Sequence, residues 1–135
     1  MHTSEPLSHF SNGYLQFLYE SLPTAASSDG MHAHDDRLED VDRSTIDNQA
    51  RELGGFARRL DRISTRTLTA DEQLERRMLT DHIRGQLFEL EEVRPWQTDP
   101  NYYANLLARS LAGQTLFAYA PVEERARRVV SRLRQ

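Results

Sequence analysis

Residues 43–64 read RSTIDNQARELGGFARRLDRIS. Ile46, Ala50, Leu53, Ala57, Leu60 and Ser64 recur at alternating spacings of three and four, with Phe56 and Ile63 beside them. A helix turns about once every 3.6 residues, so this row lies on one face and predicts an amphipathic helix over about 43–64. Asp42 or Ser44 is placed to cap its start. Gly54 and Gly55 each cost roughly 1 kcal/mol against Ala inside a helix, which predicts a close helix crossing or a kink there.

The same period extends in both directions. Phe10, Tyr14, Phe17 or Leu18, and Leu22 mark a helix over 7–22 that Pro23 ends. Thr69-Ala70-Asp71-Glu72 has capping-box spacing and opens a helix over about 70–94. Leu74, Met78, Leu79, Ile83, Leu87, Leu90 and Val93 supply its apolar face, and Pro95 stops it. Asp99-Pro100 reads as N-cap and first helical residue of a fourth helix, to about 118, carrying Tyr103, Leu106, Leu107, Ser110, Leu111 and Phe117. A fifth begins at Pro121 with Glu123 and Glu124 at its positive end. Val122, Ala126, Val129, Val130 and Leu133 make its apolar stripe, which is still running at Gln135.

No segment alternates with period two, and no repeat is visible. Residues 23–42 have no period and are rich in small and acidic residues, so they predict a long irregular loop. The expectation is an all-α fold. It is an antiparallel bundle of four to five helices over a single helical region, 1–135, whose unended last stripe suggests a piece of a larger helical domain.

Composition narrows the function. The chain has 135 residues, 17 basic against 21 acidic, and no Cys. A net charge of −4 argues against a nucleic-acid binder. All the basic residues are Arg, which reads as codon bias. The absence of Cys excludes disulfides, thiolate metal sites and a Cys nucleophile. Apolar runs are far shorter than the ~20 residues a membrane span needs. Residues 1–22 lack a basic start and an apolar core, so no signal peptide is visible and a cytoplasmic location is the default expectation.

The sharpest chemical cluster is Gly30-Met31-His32-Ala33-His34-Asp35-Asp36. Imidazole nitrogens and carboxylate oxygens suit zinc, manganese or iron, so His32, His34 and Asp35 are candidate ligands. The spacing is close to the H-x-H-x-D-H of metallo-hydrolases, but Arg37 stands in the place of the last His. The plainer reading is a solvated loop in which the Asp residues form turns and His32 bonds locally. Elsewhere His2, His9 and His82 complete no H-E-x-x-H pair. His82 reads as a packed or exposed helical residue. Glu89, Glu91 and Glu92 lack the Glu-x-x-His partner of a di-iron bundle and read as a solvated face. No G-x-S-x-G elbow and no phosphate loop occurs. Arg125, Arg127, Arg128, Arg132 and Arg134 make the last helix basic, which suits a helix C-terminus better than nucleic acid. Trp96, Tyr102 and Tyr103 read as aromatic anchors of a helix start.

The order Phe10…Tyr14-Leu15…Pro23…Ala26…Gly30-x-His32-x-x-Asp35-Asp36-x-Leu38-x-Asp40, with Leu60-Asp61, Trp96…Asp99-Pro100…Tyr102 and Tyr119-Ala120-Pro121-x-Glu123-Glu124-Arg125 after it, resembles the amino-terminal part of a large bacterial family of unknown function, family 885 (DUF 885). The resemblance runs from about residue 8 to the end. It implies a longer all-helical zinc peptidase, similar to carboxypeptidase Taq and neurolysin-like enzymes, whose H-E-x-x-x-H-like motif lies in a carboxy-terminal half not present here. It therefore implies no catalytic residue and no zinc ligand in this chain, with zinc in the complete protein. Gly30, His32, Asp35 and Asp36 match the family's G-x-H-x-x-D segment, a substrate-facing or structural loop with His34 beside it. The implied partners are the carboxy-terminal catalytic region and a peptide substrate. Relatives are often exported, against the default location. The competing expectation is a stand-alone helical interaction module without catalysis, self-associating through exposed helix faces.

Overall fold

A computed structural model of the chain describes residues 6–135, so His2 lies outside the described part. The fold is all-α, and no strand occurs among the described residues. Its helices are α1 (Leu7–Ser21), α2 (Pro23–Ser28), α3 (Arg43–Asp61), α4 (Ala70–Phe88), α5 (Pro95–Thr98), α6 (Asn101–Leu116) and α7 (Val122–Leu133). Short 3-10 turns lie at His32–His34 and Thr65–Thr67, and a π-helical turn at Glu89–Val93 continues α4. Among the described residues no helix is long and apolar enough to cross a membrane.

The boundaries obey local chemistry. Thr69 caps α4: its hydroxyl accepts from the Glu72 amide while the Glu72 carboxylate accepts from the Thr69 amide, the capping box that the spacing predicts. Those bonds outweigh a slight desolvation and hold the Glu72 carboxyl below its usual value. The helical path beyond α4 ends at Arg94, whose φ of 51° is left-handed, before Pro95 starts α5. Asp99 accepts from the Asn101 amide at 2.9 Å through Oδ1, as a capping carboxylate does, although α6 proper begins at Asn101.

The chain divides into two compact units. Among the described residues, the first comprises 6–16 and 42–95, and the second 17–41 and 96–135.

The core of the first unit is the predicted α3 row. Ile46, Leu53, Phe56, Leu60 and Ile63 are buried, as are Leu7, Phe10 and Tyr14 of α1. Phe10 and Tyr14 each present their rings edge-on to Phe56, at 5.7 and 5.3 Å between centroids. The Tyr14 hydroxyl bonds His82 Nδ1 at 2.8 Å, which makes His82 a packing partner; burial pushes that hydroxyl up to about 12. The α4 face differs from the sequence pattern. Ile83 is buried, but Leu74 and Met78 are 51% and 64% exposed, so only part of the apolar row is used.

The glycine pair does not serve a helix crossing. A Cβ at Gly54 would meet only Arg58 Nη1 at 3.5 Å, and one at Gly55 only Arg58 Nη2 at 4.0 Å. Both lie inside α3, where extra backbone freedom in the unfolded chain only costs stability. Gly54→Ala and Gly55→Ala are each expected to stabilise the chain by about 0.5–1 kcal/mol, raising Tm by several degrees in a circular dichroism melt. A drop in Tm for either would show that the backbone there needs glycine.

In the second unit two expectations are corrected. Residues 23–42 are not one irregular loop. Pro23 does not merely end α1; it sits at the first position of α2, where its missing N–H costs nothing. The α7 stripe is also reversed. Val122, Val130 and Leu133 are 62%, 44% and 60% exposed, while Arg132 is buried and Arg125 and Arg128 are half-buried. Buried hydrogen-bond acceptors on the facing side hold the arginine row inward.

Candidate functional site

The G-x-H-x-x-D segment leaves α2 through a Schellman turn. The Met31 amide donates to Ala26 O at 2.8 Å and the Gly30 amide to Ser27 O at 3.1 Å, with Gly30 at φ +82°. This is the left-handed position after a helix where glycine avoids a Cβ penalty. Gly30 is thus explained by chain geometry. The turn aims residues 32–36 back at α2 and at α7.

Asp35 is the centre of a buried polar cluster. It is 1% exposed. The Ser27 hydroxyl donates to its Oδ1. His32 Nδ1 lies 2.8 Å and Arg128 Nη1 2.5 Å from its Oδ2. A carboxylate only accepts, so His32 carries its proton on Nδ1 here. The His32 ring lies flat on Tyr119, 3.8 Å between centroids and 1° between planes, and the Arg128 guanidinium sits over the same Tyr119 ring at 5.7 Å. Arg128 also pairs with Glu124 one turn back.

A buried arginine backs the half-buried Arg128. Arg132 donates through Nη2 to Ser27 Oγ at 2.7 Å and through Nη1 to Ser110 O. Tyr119 donates to Gln114 Oε1 and accepts from Arg128 Nη1 at 3.3 Å. The Tyr119 hydroxyl also lies in hydrogen-bond reach of Asp35; having one proton, it serves Gln114 or Asp35 but not both at once. Gln114 Nε2 and Arg132 Nε are buried without a protein partner, positions that ordered water commonly serves.

The electrostatics arise from these contacts. Burial alone would raise the Asp35 carboxyl; hydrogen bonds from Ser27 and Tyr119, and the charge and bond of His32, outweigh it and hold Asp35 below the usual value. Burial pulls the Arg132 guanidinium down, and the charges of Asp35, Glu39, Tyr119 and Asp36 offset part of that. Tyr119 is raised by burial and by its contact with Asp35.

The rest of the segment is tied at both flanks. The Asp36 carbonyl accepts from Ser131 Oγ and Gln135 Nε2, each at 2.8 Å. The Leu38 amide donates to Gln135 Oε1 at 3.1 Å. Glu39 receives the Thr24 amide at 2.9 Å and the Thr24 hydroxyl at 2.5 Å, placing a carboxylate at the start of α2. Of the sequence candidates, His32 and Asp35 come together. Gly30 shapes the turn, Asp36 acts through its carbonyl with its side chain exposed, and the His34 carbonyl accepts from the Arg37 amide.

Sequence reasoning missed Ser27, Ser110, Gln114, Tyr119, Arg128 and Arg132 as members of this cluster. One signal was present: Arg125, Arg128 and Arg132 sit at i, i+3 and i+7, a stripe on one helix face.

Chemically the cluster is a clamp. Ser27 faces Asp35 and Arg132, so the hydroxyl is not set beside an imidazole that would take its proton, as Ser/His/Asp catalysis requires. The donors do not fit a zinc ion either. The carboxylate oxygens of Asp35 already accept from Ser27, His32 and Arg128, and an arginine would have to leave before a cation entered. Among the described residues no three His, Asp or Glu side chains are grouped for a metal.

Comparison of the chain with known protein families, curated proteins and solved structures finds no match.

Proposed function

We propose that this chain is the amino-terminal helical region of a family 885-like protein whose complete form is a zinc-dependent peptidase, and that its own part is to shape a wall, not to carry out the reaction. The carrying observation is the Asp35 clamp. It fixes the G-x-H-x-x-D segment against α7 while leaving the His32 side chain 33% exposed. A rigid backbone presenting one oriented imidazole suits contact with a substrate chain, since preset geometry reduces the entropy lost on binding. In a complete enzyme the zinc would polarise the scissile carbonyl and activate water. No residue of the clamp is assigned to it. Exposed Leu107, Leu116 and Phe117 at 45%, 75% and 66% agree with a surface that a larger helical body covers.

The purified 135-residue chain is therefore expected to cleave no peptide, with or without added zinc, in a fluorogenic-peptide assay. Robust zinc-dependent turnover by the chain alone would overturn the proposal. Reading the source DNA past codon 135 supplies the complementary test. A continuing frame with an H-E-x-x-x-H or H-E-x-x-H motif supports the peptidase reading. A stop codon there favours the second reading, a helical interaction module without catalysis, for which the same exposed apolar side chains argue.

A further inference from the structure

The reversed stripe of α7 carries a separate conclusion, which holds under either functional reading. Val122, Ala126, Val130 and Leu133 succeed one another at helical spacing along the exposed side of α7. A shallow groove of about 680 Å³ runs beside them, lined by Ala126, Arg127, Val130, Ser131, Arg134 and Gln135. Glu123 and Arg134 stand on the same flank of the apolar row, one at each end of the helix, and both are exposed. The opposite side of the helix is committed to Asp35, Ser27, Ser110 and Gln114 through Arg125, Arg128 and Arg132.

We propose that this face pairs with the same face of a second copy of the chain, the two α7 helices running antiparallel about a two-fold axis near residue 128. The occupant is set by charge and symmetry. A two-fold axis perpendicular to the plane of two antiparallel helices keeps the flanks of both rows on one side and reverses their heights. Glu123 of each copy then stands level with Arg134 of the other, within about one residue's rise of ~1.5 Å. Val122 meets Leu133, and Ala126 meets Val130. Two Glu–Arg pairs form by symmetry, the helix dipoles oppose, and four small-to-medium apolar side chains per copy leave water. Arg127 stands on the same flank, lines the same groove and lies one turn from Glu123 of its own chain, so that Glu123 faces an arginine of each copy. So short a seam gives a weak dimer, dissociating at about 10⁻⁴ M.

Sedimentation equilibrium of the full chain over about 10⁻⁵–10⁻³ M tests this range of affinity. A reversible monomer–dimer equilibrium is expected. Val130→Glu should weaken it about tenfold or more, because a charge would be buried without a partner. Glu123→Arg or Arg134→Glu alone should weaken it, and the double exchange should restore it. Circular dichroism melts would establish that each variant folds. As the chain has no Cys, Ala126→Cys gives one thiol per chain. A short bis-maleimide should join two such chains far faster than it joins Ser8→Cys chains. Wild type that stays monomeric throughout would overturn the proposal. So would association that survives Val130→Glu, charge exchange without rescue, or equal cross-linking at positions 126 and 8. None of these results bears on peptidase activity, so the two proposals fail separately.

Discussion

Asp35→Ala is expected to destabilise the chain by about 3–5 kcal/mol, the usual cost of removing one partner from a buried charge network. The carboxylate is 1% exposed and its bonds span the chain, from Ser27 and His32 to Arg128. Its loss leaves Arg128 with the Glu124 carboxylate and the Tyr119 hydroxyl, and leaves the half-sheltered guanidinium without its inner counter-charge. A typical domain is stable by only about 5–15 kcal/mol, so the variant should approach the unfolding threshold. Urea unfolding monitored through Trp96, the single tryptophan and a residue of the second unit, is the measurement. A cost below about 1 kcal/mol would mean that the cluster is solvated and that the clamp does not hold the segment.

The same site has a pH signature. Because the folded carboxyl lies below its unfolded value, the stabilisation is complete above the ordinary aspartate value of about 3.9 and fades as pH falls through the lower folded value. Wild type and Asp35→Asn should therefore differ most near neutrality and converge in acid. A gap that is independent of pH would assign the effect to packing and not to the charge.

The second large effect belongs to the first unit. Phe10→Ala should cost about 3–5 kcal/mol. Phe10 is fully buried, its ring 5.7 Å from Phe56 and 6.2 Å from Tyr14, with the Arg59 guanidinium 5.5 Å above it. Deleting the ring loses its transfer energy, leaves a cavity that two other rings cannot fully close, and removes a cation–π contact. Phe10→Leu keeps most of the volume and should cost under about 1.5 kcal/mol, which separates volume from aromatic contact. Far-UV circular dichroism against urea reads both. A Phe10→Ala cost no larger than that of Phe10→Leu would show that the site collapses freely.

The legible parts of the fold were those set within one helical turn or one helix face. The α3 row, the Thr69–Glu72 box and the helical content come from spacing and capping, where each residue's partner is three or four positions away. The sequence also exposed both stripes of α7, the valines and the arginines. It did not say which one faces inward. Periodicity defines faces of a single element, whereas the choice between them depends on what waits opposite. Here that is Asp35, 93 positions from Arg128 along the chain, with Ser27 and the Ser110 carbonyl beside it.

The segment 23–42 failed for the same reason. Its few apolar residues carry no period, and its order comes from the Gly30 turn, the Asp35 clamp and the Glu39–Thr24 bonds, pairings that no local pattern announces. The sequence alone determined an all-α chain with amphipathic helices and a His-Asp segment between the first and the third. Only the tertiary structure decided that the His-Asp segment is bolted to the last helix, and that the apolar side of that helix is left outside. A buried carboxylate needs its cations more than an exposed valine row needs cover, because an unpaired buried charge costs several kcal/mol while each valine withheld from water gains about 1.5 kcal/mol or somewhat more.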